Sequence, residues 1–242
     1  MGVRQLDVTF DGHLLNDLVT VEDVRRDMAG AFAPETVNVA GRDGKMWRGT
    51  RREPLEVTLT LVATGDDYEE VLEKARTLAS WFDVDQPAPL EFADEPGFWY
   101  LAAPTGQVSL SRIGNQAARV SVGLVCPDAC RHGVGGTFDS SDGGVILAVD
   151  GTLPTPVRIS AASATGNYTV TDQTTGEHVT VAVGSAAKAL VIDSDKRAAT
   201  VAGVLKLPTL DSDWLVLAPG AHVLRRTSGA GEFTASYESR WV

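Results

Sequence analysis

A chain of 242 residues, 43% of them hydrophobic, suits one large domain or two small ones and is too apolar for general disorder. Its formal net charge of −11 argues against binding to nucleic-acid phosphates, which requires a basic surface. No apolar run approaches the ~20 residues that span a bilayer, and the N-terminus lacks the apolar core of a signal peptide, so we expect cytosolic synthesis without membrane insertion.

The first half of the chain predicts strands around one long helix. Apolar residues alternate, or nearly so, at 3–10 and 55–62, which is the pattern of half-buried strands. Two further alternating runs, 107–112 and 119–125, flank the turn-forming residues 113–116 and therefore predict a hairpin. Strands, one helix and a returning hairpin together indicate an α+β unit that ends near residue 127.

The helix is predicted at residues 66–82, where apolar side chains recur at helical spacing. Asp66 is expected to cap its N-terminus, and Glu69 three residues later would complete a capping box. Its apolar face comprises Tyr68, Val71, Leu72, Ala75, Leu78, Ala79 and Phe82. We expect this face to pack on the first sheet, chiefly through Tyr68, Leu72, Leu78 and Phe82.

A glycine-rich segment at residues 131–136 predicts a flexible linker, so we place the domain boundary near residue 130. A phosphate-binding loop is the alternative for these glycines. That loop requires a following helix that begins with Lys-Ser or Lys-Thr, and none follows here.

Beyond the boundary, short strands and turns follow each other at regular spacing, which is typical of a β-sandwich. In the last strand, the inner face is predicted to hold Phe233, Ala235, Tyr237, Ser239 and Trp241. The predicted strands are residues 145–149, 157–160, 168–172, 178–183, 189–193, 200–201, 215–217, 222–226 and 232–240.

Several short motifs follow one another along the chain. The helix is followed by Leu-x-Phe-x-Asp-x-Pro-x-x-x-Tyr, which begins at Leu90 and ends at Tyr100. The second half carries an Ile-Asp turn at residues 190–193 and a Pro-Gly turn at residues 215–222, and the others are Phe10-Asp11-Gly12, Gly41-Arg42-Asp43-Gly44 and the strand at 55–61. In their order and spacing these motifs resemble those of the distal tail proteins of siphophages, although His222 stands where many members of that family carry Asn.

This resemblance implies a mainly β protein with an N-terminal α+β domain at residues 1–130, which forms a ring or belt, and a galectin-like β-sandwich at residues 131–242. The expected function is that of a structural virion protein at the phage tail tip, synthesised in the host bacterial cytoplasm. Its expected partners are five further copies in a homo-hexamer, the major tail tube protein, the tail-associated protein and receptor-binding proteins. DNA would pass through the lumen without specific binding. Neither catalysis nor a cofactor is implied.

One basic-aromatic stretch is the candidate interface. Arg48, Arg51 and Arg52 follow Trp47, and Trp and Arg are enriched at the hot spots of protein interfaces. An exposed strand end explains the same pattern.

The two cysteines favour free, buried thiols. Cys126 and Cys130 are separated by three residues, which is not the redox-active Cys-x-x-Cys spacing. His132 is near, but no second Cys/His cluster completes a four-ligand zinc site, so we assign no metal site. A disulfide and a metal remain the alternatives.

Other chemistry has weaker support. No metalloprotease or nucleophile-elbow motif is present. The acidic pairs at residues 193–195 and 211–213 favour turns over calcium loops. A carbohydrate-binding sandwich is the alternative function, because sugar rings stack on aromatic side chains, although Trp47, Trp99, Trp214 and Trp241 suit cores and interfaces better.

Overall fold

A computed structural model describes residues 6–242 of the chain. It divides into two compact units: the first ends at His132 and also includes Val242, and the second is Gly133–Trp241. Among the described residues, no helix is both long and apolar enough to cross a membrane. The prediction of a mainly β chain with a single long helix is confirmed.

The first unit is built on two groups of antiparallel strands that share one long strand. The first part of β8 pairs with β7, which also pairs with β1. The second part of β8 pairs with β9 as the predicted hairpin, and the order continues through β6 to β3. The elements are β1 (Val8–Phe10), β2 (His13–Leu14), a 3-10 turn (Leu15–Asp17), β3 (Thr20–Arg26), β4 (Phe32–Asn38), β5 (Lys45–Arg52), β6 (Leu55–Thr64), α1 (Tyr68–Trp81), β7 (Ala88–Phe92), β8 (Phe98–Arg112) and β9 (Ala117–Cys126). Strand β10 (Arg131–Asp139) begins in this unit, and its residues from Gly133 onward belong to the second unit.

Strand β6 shows how the sequence specifies this core. Its apolar residues occupy every second position, and these positions are buried while the intervening ones are more exposed. Leu59 and Leu61 have no exposed surface, and they join one apolar cluster with residues of β9, β7 and α1.

The helix begins one residue later than its capping pattern predicted. Asp67, not Asp66, is the N-cap: its Oδ1 accepts a hydrogen bond from the backbone N–H of Glu70 at 3.0 Å. The Glu70 carboxylate in turn accepts from the backbone N–H of Asp66 at 2.7 Å. The pairs Asp66/Glu69 and Asp67/Glu70 both have the spacing of a capping box, so the sequence pattern does not distinguish them. The predicted pair, Asp66/Glu69, is the wrong one.

The buried face of α1 also differs in detail from the prediction. Val71, Leu78 and Phe82 are buried, and the ring centroid of Phe82 lies 4.9 Å from that of Phe10. Leu72 is only partly buried and is not part of the core cluster, so its predicted role in packing is wrong. The face is rotated toward Val71, and Ala79 is exposed.

The second unit has the strands of a β-sandwich. The first part of β13 pairs with β19, and its last part pairs with β18, so this long strand connects the strands around β19 to those around β18. On its other side it pairs with β14 along most of its length. The strands are β11 (Gly144–Val149), β12 (Thr155–Pro156), β13 (Arg158–Asp172), β14 (His178–Asp193), β15 (Ala198–Val201), β16 (Val204–Lys206), β17 (Val216–Leu217), β18 (Gly220–Ala230) and β19 (Thr234–Trp241).

The predicted flexible linker is wrong, because residues 131–136 belong to strand β10, which pairs with β19. At Gly135, a Cβ atom would lie 1.6 Å from the backbone oxygen of Tyr237. The glycine is therefore required for close approach of the two backbones, not for flexibility.

Candidate assembly surface

Strands β4 and β5 form an exposed hairpin, which we call the arm (Phe32–Arg52). Among residues 6–242, these two strands pair only with each other, in a separate two-stranded sheet. A hydrogen bond of 2.8 Å from the Glu53 N–H to the Ala31 carbonyl closes its base. The large side chains on the arm are exposed, with Phe32 at 61% and Trp47 at 63%.

A β-bulge decides which side chains share a face of the arm. Trp47 pairs with Thr36, whereas Gly49 pairs with Glu35, so β5 contains one extra residue, Arg48. If β5 were a regular strand, Trp47 and Arg52 would point to opposite faces, because they are five residues apart and side chains alternate along a strand. The bulge brings them to one face.

The four predicted interface residues are therefore not one patch. Arg52 pairs with Phe32, and its guanidinium lies 5.9 Å from the centre of that ring. Trp47, Arg52 and Phe32 share a face, which we call the aromatic face. Arg51 lies on the opposite face and forms an ion pair with Glu53 at 3.0 Å. Sequence reasoning missed Phe32, which the pairing of β4 with β5 reveals.

The arm is basic on an acidic chain. It carries five basic residues, whereas its acidic residues are only Glu35 and Asp43. The whole chain has a net charge of −11. The arm is thus complementary in charge to the average surface of another copy of this chain.

The second unit contains a buried, hydrogen-bonded Asp–His pair, which with its neighbours we call the Asp172 corner (Asp172, Thr174, Ala218 and His222). The Asp172 side chain is 0% exposed, and its Oδ2 lies 2.7 Å from His222 Nδ1. His222 Nε2 donates to the Ala218 carbonyl at 2.8 Å, and the Thr174 N–H donates to Asp172 Oδ1 at 2.9 Å. Burial raises the pKa of Asp172, but the bonds from Thr174 and His222 lower it by more, so the pKa lies below its ordinary value.

This corner gives His222, at the Pro-Gly turn, a structural role. His222 lies in β18 and is not among the residues with a left-handed backbone. Both of its ring nitrogens have acceptors within the unit, so the side chain stabilises the fold and is not positioned for chemistry on a substrate.

The first unit contains a second polar cluster beside the two cysteines. Both cysteines are buried and neither forms a disulfide, so that alternative is not realised. Burial, with a smaller contribution from Asp128, raises the pKa of Cys126 to about 12, which makes this thiol unreactive. Ligand atoms of Asp128, Cys130 and His132 all lie within 4.8 Å of one another.

The second unit offers no aromatic platform for a sugar. In the described residues 133–241, the large exposed apolar side chains are all aliphatic. Trp214 is partly buried and packs against the core cluster of this unit.

Comparison with known protein families matches both parts of the chain in order. Residues 13–126 match the family described as phage tail protein RIFT-related domain. Residues 150–241 match the family described as siphovirus-type tail component, C-terminal domain. A search of curated proteins found no match.

Solved structures share the fold over nearly the whole chain. The crystal structure of the Dit protein of phage SPP1, a hub of the adsorption apparatus, matches with a TM-score of 0.79 and 18% identity, over 98% of this chain and 99% of that one. A chain of the phage p2 baseplate, in its activated conformation with calcium, matches with a TM-score of 0.55 and 8% identity, over 97% of this chain and 98% of that one.

Proposed function

Because this chain belongs to the siphophage distal tail proteins, we propose that it forms a ring-shaped hub at the distal end of a phage tail. In this role the first unit makes the ring and lines its lumen, and the second unit, a galectin-like sandwich, faces outward for docking. The hub is a structural component and not an enzyme.

The arm is the observation that carries the ring proposal. A two-stranded hairpin alone is marginally stable in water, and this one has Phe32 and Trp47 exposed on the same face. Burial of both rings against another surface would stabilise the arm and the partner together. An arm on each copy that binds the next copy is a heterologous contact, and such contacts form a ring when the rotation from copy to copy closes.

Charge favours another copy of this chain as the surface that receives the arm. The arm is basic, and the rest of the chain is strongly acidic. An acidic lumen would also repel DNA, which is the property that a conduit requires. We infer that the aromatic face of the arm binds an acidic region of the neighbouring subunit.

The neighbours of the ring are inferred from the family. The tail tube protein would bind one side of the ring, and the tail-associated protein the other. Receptor-binding proteins would dock on the second unit. The virion tail tip follows as the location, with synthesis in the host bacterial cytoplasm.

The ring is tested by the mass of the assembled protein. Light scattering over a range of concentrations, with negative-stain imaging, is expected to show association to a hexamer. The double variant Phe32→Ala/Trp47→Ala is expected to stay monomeric, because it removes both rings of the aromatic face. Leu210→Ala, which truncates a fully exposed side chain of the second unit, is the matched control and should assemble normally.

Two outcomes would contradict the proposal. One is a strict monomer at high concentration, together with the absence of a ring in tail particles that contain the protein. The other is a double variant that assembles as well as the unmodified protein, which would leave the ring possible but remove the arm from its interface.

A further inference from the structure

The Asp128, Cys130 and His132 side chains converge on one point at the end of the first unit. Cys130 Sγ lies 3.8 Å from His132 Nε2, and the Asp128 carboxylate is hydrogen-bonded to the same nitrogen. Cys130 and His132 are almost fully buried, whereas the Asp128 side chain is 24% exposed. The backbone explains this convergence: Ala129 has a left-handed φ of 53°, so the chain turns between Asp128 and Cys130.

This geometry differs from that of a nucleophilic triad. In a triad, the acid binds one ring nitrogen of the histidine, and the nucleophile binds the other. Here both Asp128 and Cys130 approach Nε2 of His132. A histidine with one nitrogen shared in this way cannot relay a proton from the thiol to the carboxylate through its ring.

Three donors around one point suit a metal ion. Thiolate, imidazole and carboxylate are together the ligands of zinc, whereas calcium and magnesium select oxygen alone. Around a tetrahedral zinc ion, sulfur and nitrogen ligands bound at ~2.3 Å and ~2.0 Å stand about 3.5 Å apart. The distance of 3.8 Å between Cys130 Sγ and His132 Nε2 is close to that spacing.

We propose that Asp128, Cys130 and His132 form a three-ligand zinc site, with water in the fourth position. As Zn²⁺ binds, the thiol proton of Cys130 is released to solvent and neutral His132 carries its ring proton on Nδ1, so that Nε2 and the Asp128 carboxylate bind the ion in place of their hydrogen bond. The exposed part of Asp128 provides the entry path.

A further observation at Asp128 points to a cation. Its second oxygen, Oδ1, is buried and has no hydrogen-bond partner within residues 6–242. A buried carboxylate oxygen without a partner is unfavourable, and a bound cation offsets that cost by neutralising the carboxylate.

The environment of His132 gives the site a spectroscopic probe. The Trp99 ring stacks on the imidazole with 6.0 Å between centroids. A paramagnetic ion bound at Nε2 would quench the fluorescence of Trp99. The site would tie the turn after β9 to the start of β10 and so stabilise the end of the first unit, independently of ring assembly.

Cobalt titration tests the proposal. Tag-free protein is stripped with a chelator and titrated with Co²⁺. We expect one Co²⁺ per chain, a thiolate-to-cobalt charge-transfer absorption, and displacement of cobalt by Zn²⁺. Trp fluorescence should fall in the same titration, and this fall should be absent in Trp99→Phe. Added Zn²⁺ should raise the melting temperature by roughly 5 °C, since it binds only the folded chain.

A pair of cysteine variants identifies the ligand. Cys130→Ala should lose the charge-transfer absorption, whereas Cys126→Ala, which removes the other buried thiol, should retain it. Asp128→Asn alters a partly exposed residue and should fold; its affinity for Co²⁺ should fall about ten-fold or more.

The proposal is overturned if the unmodified protein binds no cobalt at micromolar concentration, or if bound cobalt lacks the thiolate absorption. Loss of that absorption in Cys126→Ala would also overturn the assigned ligand set. Equal affinity of Asp128→Asn and the unmodified protein would do the same, even if Cys130→Ala failed to fold.

Discussion

The arm and the Asp172 corner differ in whether their side chains find partners within the same chain. In the corner, Asp172 is buried and both ring nitrogens of His222 have acceptors nearby. On the arm, Phe32 and Trp47 are more than half exposed, and the strands that carry them pair only with each other within the described residues. The corner is complete within one chain, whereas the arm lacks the surface that would bury its rings.

This difference separates two effects of mutation. A change in the corner should lower the free energy of unfolding of a single chain and leave the assembly surface intact. A change on the arm should do the reverse, because exposed side chains contribute little to folding. The following predictions test that separation, from the largest expected effect to the smallest.

Truncation of Asp172 should have the largest effect on stability. Asp172→Ala leaves His222 buried without its carboxylate and removes the acceptor of the Thr174 N–H. Loss of one partner of a buried pair costs about 3–5 kcal/mol, and urea unfolding of the second unit measures it.

An exposed pair provides the control for Asp172. Asp211 Oδ2 lies 3.6 Å from His178 Nε2, and the Asp211 side chain is 75% exposed. Asp211→Ala should leave the urea midpoint nearly unchanged. Equal losses in the two variants would mean that burial does not determine the strength of the Asp172 pair.

Truncation of the helix core should have the next largest effect. Leu78 is fully buried in the cluster of the first unit, so Leu78→Ala should cost about 2–5 kcal/mol. Leu72→Ala, on the same helix but at a partly buried position, should cost clearly less. Urea unfolding compares the two, and a larger loss for Leu72→Ala would restore the packing that the sequence predicted.

Acid should weaken the corner in a defined direction. The pKa of Asp172 is lower in the folded chain than in the unfolded one, where it is ~3.9. Its contribution to stability is therefore fully present above about pH 5 and is lost as the pH falls toward the folded-state value. Urea midpoints measured across this range should fall less in Asp172→Asn than in the unmodified protein; equal slopes would contradict the assignment.

Substitution on the arm should have the smallest effect on stability. Trp47→Ala should change the free energy of unfolding of the monomer by no more than about 0.5 kcal/mol, while assembly is lost or weakened. Unfolding at low concentration and light scattering at high concentration separate these two effects. A monomer destabilised as strongly as Leu78→Ala would mean that the arm packs on its own chain.

The sequence predicted the elements whose periodicity reflects one buried face. Strand β6 alternates cleanly because one side faces the core, and the last strand buries Ala235, Tyr237 and Ser239 as predicted. The long strands β13 and β14 were predicted as shorter separate strands. Gly166 and Gly184, which have positive φ near shifts in register, resemble turn residues in the sequence.

The arm and the glycine-rich strand carry no such signal. Neither face of the arm is buried by its own chain, so its sequence is under no pressure to alternate apolar and polar residues. The bulge at Arg48 also interrupts the two-residue period of the strand. Gly135 is required because the backbone of Tyr237 approaches it closely, and Tyr237 lies about a hundred residues further along the chain. Local composition does not contain this contact and therefore indicated a linker.

The zinc ligands show a third kind of limit. The spacing of Cys126 and Cys130 is not that of a redox motif, and the sequence holds no second cluster of Cys and His that would complete a four-ligand zinc site. The set that converges is Asp128, Cys130 and His132, at every second residue. The signal Asp-x-Cys-x-His was present, but it gains meaning only once the turn at Ala129 brings Asp128 to the others.

The bulge at Arg48 gives the arm one residue of tolerance in its length. A strand has a phase, and one residue more or less normally inverts it for everything beyond. Here the extra residue is already left out of the pairing, so deletion of Arg48 would restore regular alternation and keep Trp47, Phe32 and Arg52 on one face. Related chains whose arms differ by this one codon should therefore remain compatible as ring neighbours.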